Sequence, residues 1–437
     1  MKHIFLIAIL IAMFVQGKAQ EKWSLQKCID YALENNMVIK QYQLTTQYRE
    51  NEFTQAKNNR LPNLNASVSQ GLNFGRSETL EGTYDNFTSA NTTAGINSNV
   101  LIWRGGTINN TIKQNEYNLK SSLENLQKAK DDIMLSIASG YLDILFAQEL
   151  IKVAETQVEQ TQKQIERSKK LVDAGKIAEG ALLEVQAQLA RETLDVVNRK
   201  NNLQIAYLNL AQFLELDDYT NFEIVVPEIP ELKAQVSLLA SKSVYEKAVE
   251  VRPEIKSAEY QLRSTETQLD IAEGGKMPTL SAFAGISNNY FASEFAPSFN
   301  DQVSKNLNEN IGVNLSIPLF NRYQNRTNVE NSKIQILNSE LELESTKKQL
   351  RKQIEQAYTN SVASLERYNA NKAAVNSMVE SFRYIEEKFN VGRVNSVEYN
   401  DSKSKLAIAE SDLIQAKYEF IFRSKILDFY NGIPIEL

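Results

Sequence analysis

The chain shows two patterns of apolar residues, and each pattern occurs twice. Apolar residues first recur at three- and four-residue intervals, which predicts helix over about 24–58 and again over 238–275. A proline, Pro62 or Pro278, ends each of these segments. Apolar and polar positions then alternate, which is the period of a β-strand. We therefore predict four strands in two β-hairpins, at 62–103 and 278–320.

The predicted strands have three further features. The alternating runs are about ten residues long, which suits a tilted strand that spans a membrane. Their polar positions hold mostly uncharged Asn, Ser, Thr and Gly, which suits a water-filled lumen. Third, aromatic residues lie at the ends of the runs, as is typical of membrane interfaces; these residues are Phe74, Trp103, Tyr290, Phe291 and Phe320. The alternation alone would also fit a half-buried sheet of a soluble protein.

The number of strands has a consequence for assembly. Four strands are too few to close a barrel, and an open sheet edge in lipid leaves backbone groups without hydrogen bonds. If the sheet lies in a membrane, several chains must share one barrel.

A very long helix is predicted after each hairpin. The segments 106–172 and 323–389 contain no proline, and Gly140 is the one interior glycine of the first. A helix of this length would extend over about 100 Å. Narrow apolar seams on otherwise polar helices indicate coiled-coil-like packing next to water. A turn and a second helix follow, so each half ends in a helical hairpin, 106–214 or 323–430.

The turn of the first helical hairpin contains a Gly-Lys pair, as phosphate-binding loops do. Such a loop also needs a glycine five residues before the pair and Ser or Thr directly after it. Lys170 and Ile177 occupy these positions. Gly175 and its counterpart Gly392 are therefore predicted to end helices with a positive φ angle.

Comparison of the chain with itself indicates an internal repeat. At an offset of 216 residues "ALENNMVIK" aligns with "AVEVRPEIK" and "LPNLNA" with "MPTLSA". At 217 residues "AGINSNVLIW" aligns with "IGVNLSIPLF" and "DAGKI" with "NVGRV". We predict a tandem duplication, with repeat 1 at 20–215 and repeat 2 at 238–431. A link at 216–237 joins them, and a tail at 432–437 follows.

Composition excludes several functions. A basic start, a short apolar run and small residues before Ala19 predict a signal peptide at 1–19. Its cleavage would remove His3, the only histidine. The mature chain would then have no histidine, which excludes His-dependent nucleophile pairs and His-ligated zinc or iron sites. Cys28 is the only cysteine, and we expect it to be a buried apolar residue. The net charge of −6 argues against a nucleic-acid partner. We predict no enzyme activity, no cofactor and no metal site.

Several motifs resemble those of the TolC family of outer-membrane efflux and secretion channels. They are "SLQKCIDYALENN", "RPEIKSAEYQL", the prolines Pro62 and Pro278 just before the predicted strands, and "FNVGRVNSVEYNDSKSKLAIAE". The resemblance covers essentially all of the mature chain. It implies a mainly α protomer with a membrane β part, working as a homotrimer. Each chain would give four strands to a twelve-stranded β-barrel in the outer membrane, and its long helices to a periplasmic α-helical barrel.

The resemblance also implies partners and a gate. The channel would conduct small molecules passively, next to a periplasmic adaptor and an inner-membrane transporter. Glu398 and Asp401 match the family's acidic positions at the periplasmic aperture, where three copies would attract cations. In the first half Glu184 aligns with Asp401, whereas Ala181 occupies the position equivalent to Glu398. The alternative for these acids is an ordinary charged helix start.

The hairpin tips and the loops between strands receive roles by the same resemblance. Gly175, Lys176, Gly392 and Arg393 would dock against the adaptor, although Lys176 and Arg393 equally suit a charged surface. The loops 75–91 and 291–307 would face outside the cell. Two alternatives stay open: a protein-secretion channel of the same architecture, and a periplasmic coiled-coil scaffold that is not a channel.

Overall fold

The computed structural model describes residues 22–78, 82–227, 240–292 and 296–435. The predicted signal peptide and residues 228–237 of the predicted link lie outside these ranges.

The helices confirm the tandem duplication. Each half contains, in order, helices of 11, 22, 67 and 35 residues. The first pair begins 216 residues apart and the last pair 217 apart, as the repeat predicts. In the first half the helices are α1 (Leu25–Asn35), α2 (Met37–Asn58), α3 (Thr107–Asp173) and α4 (Glu179–Phe213). In the second half they are α5 (Ser241–Val251), α6 (Pro253–Gly274), α8 (Gln324–Asn390) and α9 (Ser396–Tyr430), with the short α7 (Phe299–Lys305) before α8.

The prediction of one continuous helix at the start of each half is wrong, because each is broken after 11 residues. Asn36 has extended backbone angles, and its side-chain oxygen accepts the amide of Val38 at 2.9 Å, so it caps α2. In the second half Arg252 is extended because Pro253 follows it. Pro253 then occupies the first position of α6, where no amide proton is needed.

The four strands form one antiparallel sheet in the order β1-β2-β3-β4. They are β1 (Asn65–Glu78), β2 (Tyr84–Arg104), β3 (Thr279–Ala292) and β4 (Asn308–Ser316).

Three details of the predicted hairpins are corrected. Residues 75–91 are mostly strand rather than loop, because their backbones continue the β1–β2 ladder although apolar and polar residues do not alternate there. The strand predicted to reach Phe320 ends at Ser316. Pro318 follows two residues later, and it has no backbone N–H to donate to a strand ladder. The predicted loop 291–307 contains α7, whose buried Gln302 bonds the backbone N–H and C=O of Phe291, both at 2.8 Å.

The residues fall into two compact units, each built from both repeats. Of the described residues, one unit comprises those within 22–43, 125–255 and 346–435, and the other those within 44–124 and 256–345. The second unit contains the sheet.

The main hydrophobic core lies in the first unit. Ile137, Tyr141 and Ile144 of α3 are buried there together with Cys28, as expected for that thiol. Burial raises the pKa of Cys28 to about 12. The link begins beside this core, where Val225 donates its amide to the carbonyl of Trp23 at 2.9 Å. Among the described helices α3 alone is long and apolar enough to cross a membrane, but its most buried residues lie in this core.

Candidate functional site

One face of the sheet is mainly apolar and exposed, and Glu309, opposite Ile286, is its one charged residue over 65–75, 89–101, 279–291 and 308–316. The register places the even-numbered residues of β1 and β2 on the same side as the even-numbered residues of β3 and the odd-numbered residues of β4. No other part of the chain that the structure describes covers the large side chains on this face; Val313 is 70% and Ile311 is 88% exposed. The larger members of this apolar face are Val68, Leu72, Phe74, Ile96, Ile286, Ile311, Val313 and Leu315.

The opposite face is polar, and its central part carries no charge, while Asp85 and Arg104 occupy positions on it near the two ends of β2. Asn65, Asn97, Gly285 and Asn310 lie side by side in one row across the four strands. Over 65–75, 89–101, 279–291 and 308–316 the positions on this face are Asn, Ser, Thr and Gly with three apolar exceptions, Leu101, Phe283 and Phe291. A sheet with one exposed, mainly apolar face and one polar face whose central part is uncharged suits lipid on one side and water on the other.

The predicted interface aromatics lie near the two ends of the sheet. Trp103 pairs with Leu280 at the end where β2 leads into α3. Phe320 follows β4 at that same end and contacts Tyr323 edge to face, with ring centroids 5.7 Å apart. Tyr290 pairs with Thr92 and Phe74 with Thr88, towards the opposite end.

The two helical hairpin tips have the same geometry. Gly175 has φ +67° and Gly392 has φ +76°, the left-handed conformation predicted for both. In each tip the following residue donates its amide to a carbonyl five residues back, Lys176 to Leu171 and Arg393 to Lys388, both at 2.9 Å. This is the bonding pattern of a Schellman motif, so both tips are compact helix ends rather than loops.

The two predicted gate acids lie on the first two turns of α9. The amide of Glu398 donates to the side chain of its capping residue Asn395 at 2.9 Å. Asp401 forms an ion pair with Lys405 at 2.7 Å, one turn further along the helix. Both members of that pair are 60% exposed. Lys405 is not among the predicted site residues, although the four-residue spacing of opposite charges indicates such a pair.

The structure also brings the two tips together, which sequence reasoning did not foresee. Arg167 of α3 donates to the carbonyl and to the side-chain oxygen of Asn390, the former at 2.7 Å. Its guanidinium lies 5.5 Å from the ring centroid of Phe389. Ser396 donates to Glu184 at 3.0 Å. These contacts join residues more than 200 positions apart and are exposed to solvent.

Residues 28–214 and 244–427 match the family model of outer membrane efflux proteins. The chain belongs to this family. The match covers both repeats and both hairpin tips, and the resemblance to the TolC family stated from the motifs is confirmed.

Individual relatives are distant in sequence and close in fold. The outer membrane protein TolC of Vibrio cholerae is 22% identical over 290 residues, 66% of this chain and 65% of that protein. The cation efflux system protein CusC of Escherichia coli O157:H7 is 22% identical over 397 residues, 89% of this chain and 82% of that protein. A crystal structure of CusC matches with a TM-score of 0.79 at 19% identity, over 94% of this chain and 92% of the other.

The matching family model describes outer membrane efflux proteins, and the solved structures of the same fold include the outer-membrane channels OprN and CmeC. The surfaces that matter are therefore those that face lipid, water or another protein.

Proposed function

We propose that the chain is the outer-membrane exit duct of a tripartite efflux system, with three copies sharing one twelve-stranded barrel. The observation that carries the proposal is the open sheet with its exposed apolar face. In lipid the free edges of β1 and β4 would leave a row of backbone groups unbonded, which the hydrocarbon layer does not tolerate. Pairing β4 of one copy with β1 of the next removes every edge, and β-barrels of this kind have an even number of strands.

The dimensions of the sheet support a membrane position. Along β2, Thr92 lies beside Tyr290, and Trp103 lies 11 residues further on. At about 3.3 Å per residue the two levels are about 36 Å apart along the strand. A tilt of about 35–45° reduces this to about 25–30 Å, close to the apolar band of outer-membrane barrels. We assign Trp103 and Tyr290 to the two membrane interfaces on this ground, and Phe320 and Phe74, which lie farther out towards the same two ends of the sheet, to the same interfaces.

The long helices form the periplasmic part of the duct. Each of α3 and α8 contains 67 residues and is therefore about 100 Å long. Their polar surfaces suit a wet passage that conducts small molecules and consumes no nucleotide.

The tips carry the contacts with other proteins and the gate. Gly175, Lys176, Gly392 and Arg393 lie at the exposed ends of the hairpins, where a periplasmic adaptor of an inner-membrane transporter would dock. Glu398 and Asp401 form the gate: in a trimer three copies would surround the axis and attract cations. Lys405 offsets part of this charge within each chain, since it pairs with Asp401.

The test is deletion of the gene and complementation with the intact or altered protein. Loss of the duct should raise the intracellular accumulation of a small fluorescent cargo, and the intact chain should restore export. A chain with Val313→Arg on the apolar face should fail to restore it. Unchanged accumulation of small cargo together with loss of a secreted protein from the medium would refute efflux in favour of protein secretion.

A further inference from the structure

Three helices meet at a buried ion pair near the hairpin tips. Lys403 of α9 and Glu192 of α4 have side chains that are 3% and 8% exposed, and Nζ lies 3.0 Å from Oε1. Nζ also donates to the backbone carbonyl of Gln157, at 2.7 Å, and to the hydroxyl of Thr161, both on α3. An ammonium group has three N–H donors, so all of them are used.

The carboxylate of Glu192 is equally well bonded. It accepts the hydroxyl of Thr161 at 2.6 Å and the side-chain amide of Gln188 at 2.9 Å. Burial lowers the pKa of Lys403, and the charge of Glu192 opposes that shift. Because removal of one partner leaves the other charge buried without compensation, the pair resists separation of the three helices.

The position of Lys403 on α9 determines where the gate acids point. Tyr399, Lys403 and Ala407 are buried and follow one another at four-residue spacing, so they form one stripe on the helix. Successive residues of an α-helix are about 100° apart. Glu398 and Asp401 are therefore turned about 140° and 160° away from Lys403. As long as Lys403 faces α3 and α4, both acids face away from them.

The contacts between the two hairpin tips are exposed to solvent, unlike the buried pair of Lys403 and Glu192. The bonds of Arg167 to Asn390 and of Ser396 to Glu184 are exposed, so water competes with each of them. These tip contacts can exchange while the buried pair stays formed.

We propose that Lys403 is the positioning residue of the gate: through Glu192 and Thr161 it fixes the rotation of α9 about its own axis, and so the direction of Glu398 and Asp401. This inference rests on the proposed gate. On this inference Lys403 controls ion selectivity, although its buried side chain contacts neither the cargo nor the adaptor.

The test compares ion selectivity in planar bilayers, measured as the reversal potential across a KCl gradient. Lys403→Met with Glu192→Leu replaces the pair by apolar side chains of similar volume, which such sites commonly tolerate. Lys163→Met with Glu159→Leu is the matched control, since it removes an exposed pair from α3. We expect the buried double variant, assembled as a trimer, to lose cation selectivity to the level of Glu398→Gln with Asp401→Asn. The exposed control should keep the selectivity of the unaltered channel.

A second comparison separates positioning from general stability. In a channel that already carries Glu398→Gln and Asp401→Asn, loss of the buried pair should not change the reversal potential, because no acids remain to be positioned. A further change there overturns the inference, as does an unchanged reversal potential in the buried double variant. If the two acid replacements alone have no effect, the gate assignment is wrong and the inference falls with it, although the duct itself stands.

A milder variant covers the case in which the double variant does not assemble. Thr161→Val removes only the hydroxyl that joins the two ions and keeps the volume of the side chain. It should shift the reversal potential in the same direction, and a value equal to that of the unaltered channel overturns the inference.

Discussion

The buried arginine at the α5–α6 break offers a strict test of what holds the first unit together. Arg252 is paired with Asp131 at 3.0 Å and with Glu254 at 3.2 Å, and the side chains are 8%, 9% and 14% exposed. Its guanidinium also lies 4.4 Å from the ring centroid of Phe429. Replacing it with methionine keeps much of the volume but leaves two carboxylates close together without a cation.

The expected loss is about 3–5 kcal/mol in the free energy of unfolding, the usual cost of removing one partner of a buried pair. The loss should depend on pH. Burial already raises the pKa of Asp131 against the attraction of Arg252, so the variant raises it further. A raised carboxyl pKa means that the folded state binds more protons than the unfolded state, and stability then falls as pH rises through that pKa. The difference in unfolding free energy between Arg252→Met and the unaltered protein should therefore be smaller at acidic pH than at pH 8.

The fluorescence of Trp23 reports this unit, because its ring packs against Tyr31 and Phe222, at 5.0 and 5.4 Å between centroids. The chain has two tryptophans, so Trp103→Phe serves as the background for guanidinium unfolding. Arg199→Met, which breaks a more exposed pair with Asp195 on α4, is the control and should cost less than about 1 kcal/mol. If Arg252→Met costs no more than the control, or if its cost grows as pH falls, the reasoning about this cluster is refuted.

Two further predictions concern the sheet and the core. Ile311→Arg, on the apolar face and opposite Ala284, whose partner Ser98 lies midway between Thr92 and Trp103, should cost about 2–4 kcal/mol of folding free energy in lipid vesicles, while Asn310→Arg, on the polar face of the same strand, should assemble normally; equal effects of the two would contradict the assignment of the faces. Cys28 should resist a thiol reagent at pH 8 in the folded protein, because its pKa of about 12 keeps it protonated, and should react once guanidinium unfolds the unit; rapid labelling of the folded protein would contradict its place in the core.

The features that repeat along the chain could be predicted from the sequence, because they follow from local preferences. The tip glycines are an example: the motif occurs twice, and only a positive φ explains a glycine between two long helices. The break at Asn36 was missed because its cap depends on a side-chain bond to Val38 that apolar periodicity does not register. Strand lengths were underestimated around 75–91, since ladder bonds join backbones whatever the side chains are.

The contacts that position the candidate gate could not be predicted in the same way. Lys403 lies 211 residues from Glu192, and Arg167 lies 223 residues from Asn390. A lysine on a helix with many polar residues is normally at the surface. Its burial depends on the register between three helices, which only the folded structure supplies.

Single-channel recording would show whether three copies of this chain form one continuous pore through the outer membrane. Protein extracted from outer membranes with detergent should run as a trimer and insert into planar bilayers as one conducting unit per trimer. A protein that leaves the envelope without detergent, runs as a monomer and produces no conductance would contradict this expectation.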